Sequence, residues 1–419
     1  MERVITVTIR FSHGADDGWT VDDSAREMAE LTANTGVELV DNIICLRDRP
    51  TASLLIGSGK AEELALICSA ENVDTVIFNK DLTGTQQRNL EDIIGKRVID
   101  RTQLILDIFA RHAGSGEGKT QVELAQLEYI LPRLAGRGKL LSRPGGGIGT
   151  SGPGETKLET DRRRIRKRID SLKRDLRDLN SHRQLLRKKR KEQELPLVAL
   201  VGYTNAGKST LLNALCNAGQ KVQNALFTTL DPLSKSLQLP CGENVVLTDT
   251  VGFLHDLPHN LIEAFKATLE ETAHADLLVH VIDCSHHLAY EHAGSVRQVL
   301  EQIGAQDIPV VTALNKLDLL EDKSWLAALQ ADMPRPVAIS AKLGTNLDKL
   351  LSEIEKEFKG RMTRVELLIP HSRMHLLDQF YRHGRVESVE YLAEGVKVSG
   401  NLPLVEAKRM QDACAEREK

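Results

Sequence analysis

Gly202, Gly207, Lys208 and Ser209 stand at the spacing G-x-x-x-x-G-K-[ST], with Tyr203, Thr204, Asn205 and Ala206 between them and Thr210 following. Glycines at these positions let successive backbone N–H groups turn inward around phosphate oxygens. The lysine adds a charge at the β- and γ-phosphates, and the serine hydroxyl is a ligand for Mg²⁺. Forty residues after Ser209, Asp249-Thr250-Val251-Gly252 forms D-x-x-G. Here a carboxylate can hold the same metal, and a glycine N–H can meet the terminal phosphate. Asn315-Lys316-Leu317-Asp318 forms N-K-x-D, in which the Asp carboxylate accepts from the guanine N1–H and 2-amino group. Adenine offers neither donor, and an unmet hydrogen bond of this kind costs a factor of about 10⁴ in discrimination. Ser340-Ala341-Lys342 has the composition of a loop that closes over the base. Four elements in this order point to Mg²⁺-dependent hydrolysis of GTP, with Lys208 and Gly252 at the reacting phosphate.

Between the first and second motifs lies Phe227-Thr228-Thr229-Leu230-Asp231-Pro232. A threonine here would ligate Mg²⁺ only when the γ-phosphate is present, which makes the segment a switch. Chemistry alone does not separate Thr228 from Thr229. Phe253 follows D-x-x-G where many GTPases carry a water-orienting glutamine. It can neither donate nor accept a hydrogen bond, so slow intrinsic hydrolysis is expected, with help from outside. His255 and His259 are read as solvent-facing switch residues. Asn205 is a candidate to seat K⁺ beside the phosphates.

These residues need a scaffold. Leu197–Val201 is an apolar run entering the glycine loop, and Val245–Leu247 and Pro309–Leu314 lead into the second and third motifs. Strand, loop and helix in repetition over 195–360 predict a mostly parallel sheet flanked by helices, the P-loop GTPase class. Residues 1–112 alternate strand-like patterns (Val37–Val40, Leu54–Ile56, Thr75–Phe78, Arg97–Ile99) with helical ones (Ala61–Ser69, Thr83–Ile94), which predicts an N-terminal α/β domain. Neither Gly57–Lys60 nor Gly114–Lys119 fits the P-loop spacing with Ser or Thr after the lysine, and both read as turns. Residues 113–194 read as a helical hairpin. The apolar positions Leu158, Ile165, Ile169, Leu172, Leu176, Leu179 and Leu186 keep a heptad seam, its partner a helix over Thr120–Leu134. Between them lies the glycine-rich loop Gly145–Gly154. Residues 361–419 read as a small C-terminal α+β domain, with a helix over His371–His383.

The 419 residues carry a net charge of −4, unevenly placed. Lys157–Lys191 holds 16 Lys and Arg against 5 Asp and Glu, an excess of 11, so the rest of the chain carries −15. A charged helix is usually a solvated face, but Arg162–Arg168 and Arg187–Lys191 are denser than solubility demands and suit a phosphate backbone. With only 4% aromatic residues, base stacking is disfavoured and structured RNA favoured over single strands. Six scattered cysteines without ligand spacing imply reduced thiols. No apolar run approaches ~18 residues, and a cytoplasmic monomer is expected.

Taken with these motifs, Gly146–Gly149 with Gly152–Arg163, Val201–Thr210, Asp249–Phe253, Gln87–Glu91 and Val98–Thr102 make the chain resemble the HflX-type GTPases over nearly its whole length. Ser151 stands where the pattern has arginine. The resemblance implies association with the ribosome, chiefly the large subunit and its rRNA, and GTP-dependent splitting or rescue of stalled ribosomes under stress. It places the glycine-rich loop near the peptidyl-transferase region and assigns the switch Mg²⁺ ligand, with a catalytic part, to Thr229. Two rival readings are a ribosome-assembly GTPase on the free large subunit, and an RNA-remodelling ATPase working through the N-terminal domain.

Overall fold

The computed structural model describes residues 1–12, 18–134, 153–192, 195–216, 233–255, 266–320, 323–358 and 362–415. They pack as two compact units. The first begins β1 (Arg3–Phe11), α1 (Val21–Ala33), β2 (Glu38–Arg47), α2 (Ser58–Ala70), β3 (Thr75–Phe78), α3 (Gly84–Ile94) and β4 (Arg97–Asp100). Its four strands form a parallel sheet in the order β2-β1-β3-β4. Ile5, Val7, Val76, Phe78 and Val98 fill its core with Leu64 of α2 and Leu90 of α3. Local chemistry starts the helices. Thr20 with Asp23 and Thr83 with Gln86 make reciprocal capping boxes, satisfying first-turn amides that have no partner inside the helix.

Leu54–Ile56 is buried but is not a strand. Leu55 has φ +64 and the segment folds back through a Thr51–Leu55 bridge. A short apolar run marks burial and does not distinguish a strand from a buried turn. Gly57–Lys60 and Gly116–Lys119 are likewise helix starts: Gly57 is the N-cap of α2 at φ +87, and Ser115 caps a helix beginning at Gly116. Asp100 caps α4 (Arg101–His112), and α5 (Gly116–Arg133) follows.

The long basic helix, α6 (Pro153–Glu192), packs on α5 through Leu124, Ile169 and Leu172, with Leu127, Leu131, Ile165 and Leu176 at the margin. The expected seam between the two helices exists in its middle, but Glu123–Arg168 and Glu128–Lys173 step forward together along both helices, the order of a parallel pair and not of the expected antiparallel one. Leu179 lies exposed beyond it, because α5 ends and offers no partner. Most of Gly145–Gly154 falls outside the described residues, and Pro153 and Gly154 already belong to α6.

The second unit holds β5 (Leu197–Gly202), α7 (Lys208–Cys216), β6 (Leu233–Gln238), β7 (Asn244–Asp249), α8 (Lys266–Ala273), β8 (Leu277–Asp283), α9 (Ala289–Gln302), β9 (Val310–Asn315), α10 (Lys323–Asp332), β10 (Pro336–Ala338) and α11 (Leu347–Glu357), apart from the first residues of α8, which group with the first unit. The sheet runs β10-β9-β8-β5-β7-β6, parallel except for β6. All of β5 is buried, as a strand covered on both faces must be. The C-terminal portion is β11 (Met362–Ile369), α12 (His375–His383), β12 (Arg385–Leu392), β13 (Gly395–Pro403) and α13 (Leu404–Ala415), an antiparallel β11-β13-β12 sheet. His371–Arg373 forms a separate 3₁₀ turn ahead of α12. Among the described residues no helix is long and apolar enough to cross a membrane.

Candidate functional site

The carboxyl ends of β5, β7, β8 and β9 bring the motifs to one edge of the sheet, where open α/β sheets bind ligands. β5 delivers Gly202 and the loop ends at Lys208, the first residue of α7. Close approach explains the glycines. A Cβ on Gly202 would lie 2.3 Å from the Val281 carbonyl oxygen, and one on Gly207, at φ +96, would lie 2.3 Å from Asn315 Nδ2. Asn205 holds φ +61, a left-handed conformation that asparagine tolerates better than most residues. Lys208 Nζ curls over the loop and donates to the carbonyls of Gly202 (3.1 Å) and Tyr203 (2.9 Å). Burial pushes its pKa down to about 8, against the pull of the Asp249 charge.

Ser209 Oγ donates to Asp249 Oδ2 at 2.6 Å. Two hard oxygen donors, one on a helix N-terminus and one at a strand end, suit Mg²⁺, which takes few protein ligands and keeps waters and phosphate oxygens. Gly252 sits against the loop. A Cβ there would meet Thr204 Cγ2 at 2.8 Å and Lys208 Nζ at 3.1 Å. The Thr204 hydroxyl is buried with no hydrogen-bond partner, as expected of a group that a ligand or water completes. Thr250 Oγ1 donates to the Leu200 carbonyl (2.7 Å) and fastens the second motif to β5, with Val251 buried beside it. Thr210 is half-buried in the first turn of α7.

At the other end of the site, Asn315 spans 109 residues of sequence to donate from Nδ2 to the Ala206 carbonyl (2.8 Å), while its Oδ1 accepts the Ala341 N–H (3.0 Å). Ser340 Oγ donates to Asp318 Oδ1 (2.5 Å), and Leu317 N–H donates to the Ile339 carbonyl (3.1 Å). Asp318 and Lys342 are exposed. The base-reading strip, its closing loop and the phosphate loop are thus one hydrogen-bonded assembly. Phe227, Thr228, Thr229, Leu230 and Asp231 lie outside the described residues, as does His259.

Several features had no signal in the motifs. Phe253 is 1% exposed, and its backbone is bonded on both sides to the phosphate loop, Thr204 N to Phe253 O (2.8 Å) and Phe253 N to Gly202 O (3.1 Å). Its ring is a core residue. His255 is half-buried; within the first unit its ring stacks on buried Trp19, centroids 4.4 Å apart. The Tyr203 ring stacks on His292 of α9 at 3.8 Å. His280, inside β8, is buried with its Nε2 unpartnered, and burial holds its pKa down at about 3, reinforced by Arg297 and Lys208. The only sign of these in the sequence is a histidine-rich stretch, 286–292.

Four family descriptions match successive stretches of the chain. They are GTP-binding GTPase N-terminal over 22–110, GTP-binding GTPase middle region over 112–190, 50S ribosome-binding GTPase over 197–316, and HflX C-terminal domain over 327–413. The chain is 45% identical over 411 residues to the GTPase HflX of Caldanaerobacter subterraneus subsp. tengcongensis, covering 98% of this chain and 93% of that one. It is 39% identical over 412 residues to the GTPase HflX of Escherichia coli K12, covering 98% and 95%. A crystal structure of a GTP-binding protein from Sulfolobus solfataricus in complex with GDP aligns over 85% of this chain and 98% of that chain, at 24% identity and a TM-score of 0.44. The two HflX GTPases match 98% of this chain at 45% and 39% identity, and the family descriptions follow one another along it: the chain belongs to the HflX family of GTPases.

Proposed function

We propose that this GTPase acts on the ribosome, binding the large subunit and its rRNA and splitting or rescuing stalled ribosomes under stress. The observation that carries the reading is α6. One side of this helix is sealed against α5, while Arg163, Arg164, Arg166, Lys167, Lys173, Arg174 and Arg177 are exposed on the remainder. A protein with a nucleotide switch and such a rod has the means to make RNA binding depend on GTP. The description 50S ribosome-binding GTPase over 197–316 supports the choice of partner.

We assign Lys208 to the β/γ-phosphates and the Gly252 N–H to the γ-phosphate. Ser209, Asp249 and Thr229 are the Mg²⁺ ligands; the metal supplies charge neutralisation on the phosphates. Gly202 to Thr210 line the phosphates, Phe227 to Asp231 form the first switch, and Asp249 to Gly252 begin the second. Asn315 to Asp318 with Ser340 to Lys342 hold guanine. Asn205 seats K⁺, so hydrolysis should run faster in K⁺ than in Na⁺; equal rates would remove that assignment. We take 1–112, 113–194, 195–360 and 361–419 as the working segments of a monomer in the cytoplasm.

Phe253 cannot orient water, so basal hydrolysis should be slow. GTP hydrolysis is therefore measured with and without purified large ribosomal subunits at matched salt. Strong stimulation that vanishes in Lys208→Ala supports the reading. GTP binding with no stimulation would overturn the ribosomal role and leave the GTPase site standing. Splitting assays on intact ribosomes separate this reading from an assembly role on the free large subunit. ATP hydrolysis surviving in Lys208→Ala would favour the RNA-remodelling alternative.

A further inference from the structure

Asn315-Lys316-Leu317-Asp318 contains an internal conflict. Lys316 stands two residues before Asp318 on one short turn, and its ammonium rides on a flexible four-carbon arm. If that charge settled on Asp318, the carboxylate would be neutralised and partly occupied. It would then be a poor acceptor for the guanine N1–H and 2-amino group.

The fold removes the lysine from that carboxylate. Asp283, the last residue of β8, lies beside Asn315 in the β8–β9 register. Its Oδ2 pairs with Lys316 Nζ at 2.7 Å, with side chains only 15% and 23% exposed. Its other oxygen is held from the far side, Oδ1 accepting Ser285 N–H (3.0 Å) and Ser285 Oγ (2.6 Å). The carboxylate is therefore anchored at both oxygens. The neighbouring Cys284 ties the two strand ends together, its N–H (3.0 Å) and Sγ (2.9 Å) both donating to the Asn315 carbonyl. Lys316 itself holds φ +64, an uncommon conformation for a residue with a side chain, kept by its surroundings. Asp318 is left exposed, with Ser340 Oγ on one oxygen.

We propose that Asp283 is a specificity-positioning residue: by holding the Lys316 ammonium at the end of β8 it keeps Asp318 available to read guanine. The proposal rests on the assignment of Asn315–Asp318 as the base-reading strip. Asp283 acts through Lys316 and Asp318 and not on the nucleotide itself.

The test compares GTP with ITP, which keeps the N1–H and lacks the 2-amino group. Wild type, Asp283→Asn and Asp283→Glu are measured for KM and kcat with both nucleotides, alongside melting temperature. In wild type, GTP should be preferred to ITP. In Asp283→Asn the KM for GTP should rise about tenfold with kcat within about twofold, and the preference for GTP over ITP should shrink several-fold, because the acceptor for the 2-amino group is compromised. Asp283→Glu should recover part of the preference. Equal weakening of GTP and ITP would mean a merely structural role and would overturn the proposal, as would unchanged values for both. If wild type shows no preference for GTP over ITP, the base-reading assignment itself fails, which is a different result from either.

Discussion

A single methyl group at Gly207 has nowhere to go. It would sit 2.3 Å from Asn315 Nδ2 on a backbone at φ +96, so Gly207→Ala must displace the side chain that joins the phosphate loop to the base strip. Nucleotide affinity should fall at least tenfold in a titration with a fluorescent GDP analogue, with far-UV dichroism unchanged. His280 makes a prediction about pH. Burial holds its folded-state pKa at about 3 against an ordinary value of 6.5. Between these values the unfolded chain takes up a proton that the folded chain refuses, so stability is lost as pH falls below 6.5. At pH 5 the loss from this one group is about 2 kcal/mol. Thermal unfolding at pH 7 and pH 5 should show a smaller drop for His280→Gln than for wild type; identical drops would mean the histidine is protonated in the folded state.

The joints between elements depend on a few residues. Asp100, fully buried at the end of β4, accepts from Gln103 N–H (2.9 Å), Leu82 N–H (3.1 Å) and Arg133 Nη2 (3.0 Å), fastening α4 and the end of α5 to the sheet. Burial pushes its carboxyl up, while the two amides and Arg133 pull it back. Asp100→Ala leaves two amides without their acceptor and takes one acceptor from the half-buried Arg133, and should cost about 2–3 kcal/mol by denaturant unfolding. Leu172 is buried in the α5–α6 seam and Leu179 is exposed beyond it. Leu172→Ala should cost about 2–4 kcal/mol, and Leu179→Ala less than about 0.5 kcal/mol. A heptad pattern alone would have weighted the two equally.

At the scale of the whole chain, the proposed association with RNA rests on the excess of basic charge on α6. Exposed Arg163, Lys167 and Arg174 should act through phosphates, so stimulation of GTP hydrolysis by large subunits should fall at least tenfold between about 50 and 200 mM salt. Reversing those three to glutamate should abolish most of the stimulation while basal hydrolysis stays at the wild-type level. A basal rate that fell in parallel would place the charges in the catalytic machinery instead.

What the sequence determined by itself was the chemistry and the class. Phosphate loops and base-reading strips are contiguous strings, because strand ends present consecutive backbone groups to one ligand, and their order along the chain already implied a parallel sheet. The periodicity at 165–176 located the α5–α6 seam for the same reason, since a repeat of seven is a local property, but it did not give the direction in which the two helices pair. Tertiary structure alone decided which distant residues serve those strings. Asn315 reaching Ala206, Asp283 taking Lys316, Phe253 turning into the core and His255 lying on Trp19 all join residues whose spacing carries no pattern. Leu54–Ile56 reads as a strand in the sequence because apolarity reports only that a segment is buried, whereas the positive φ of Leu55 is imposed by where the chain must go next.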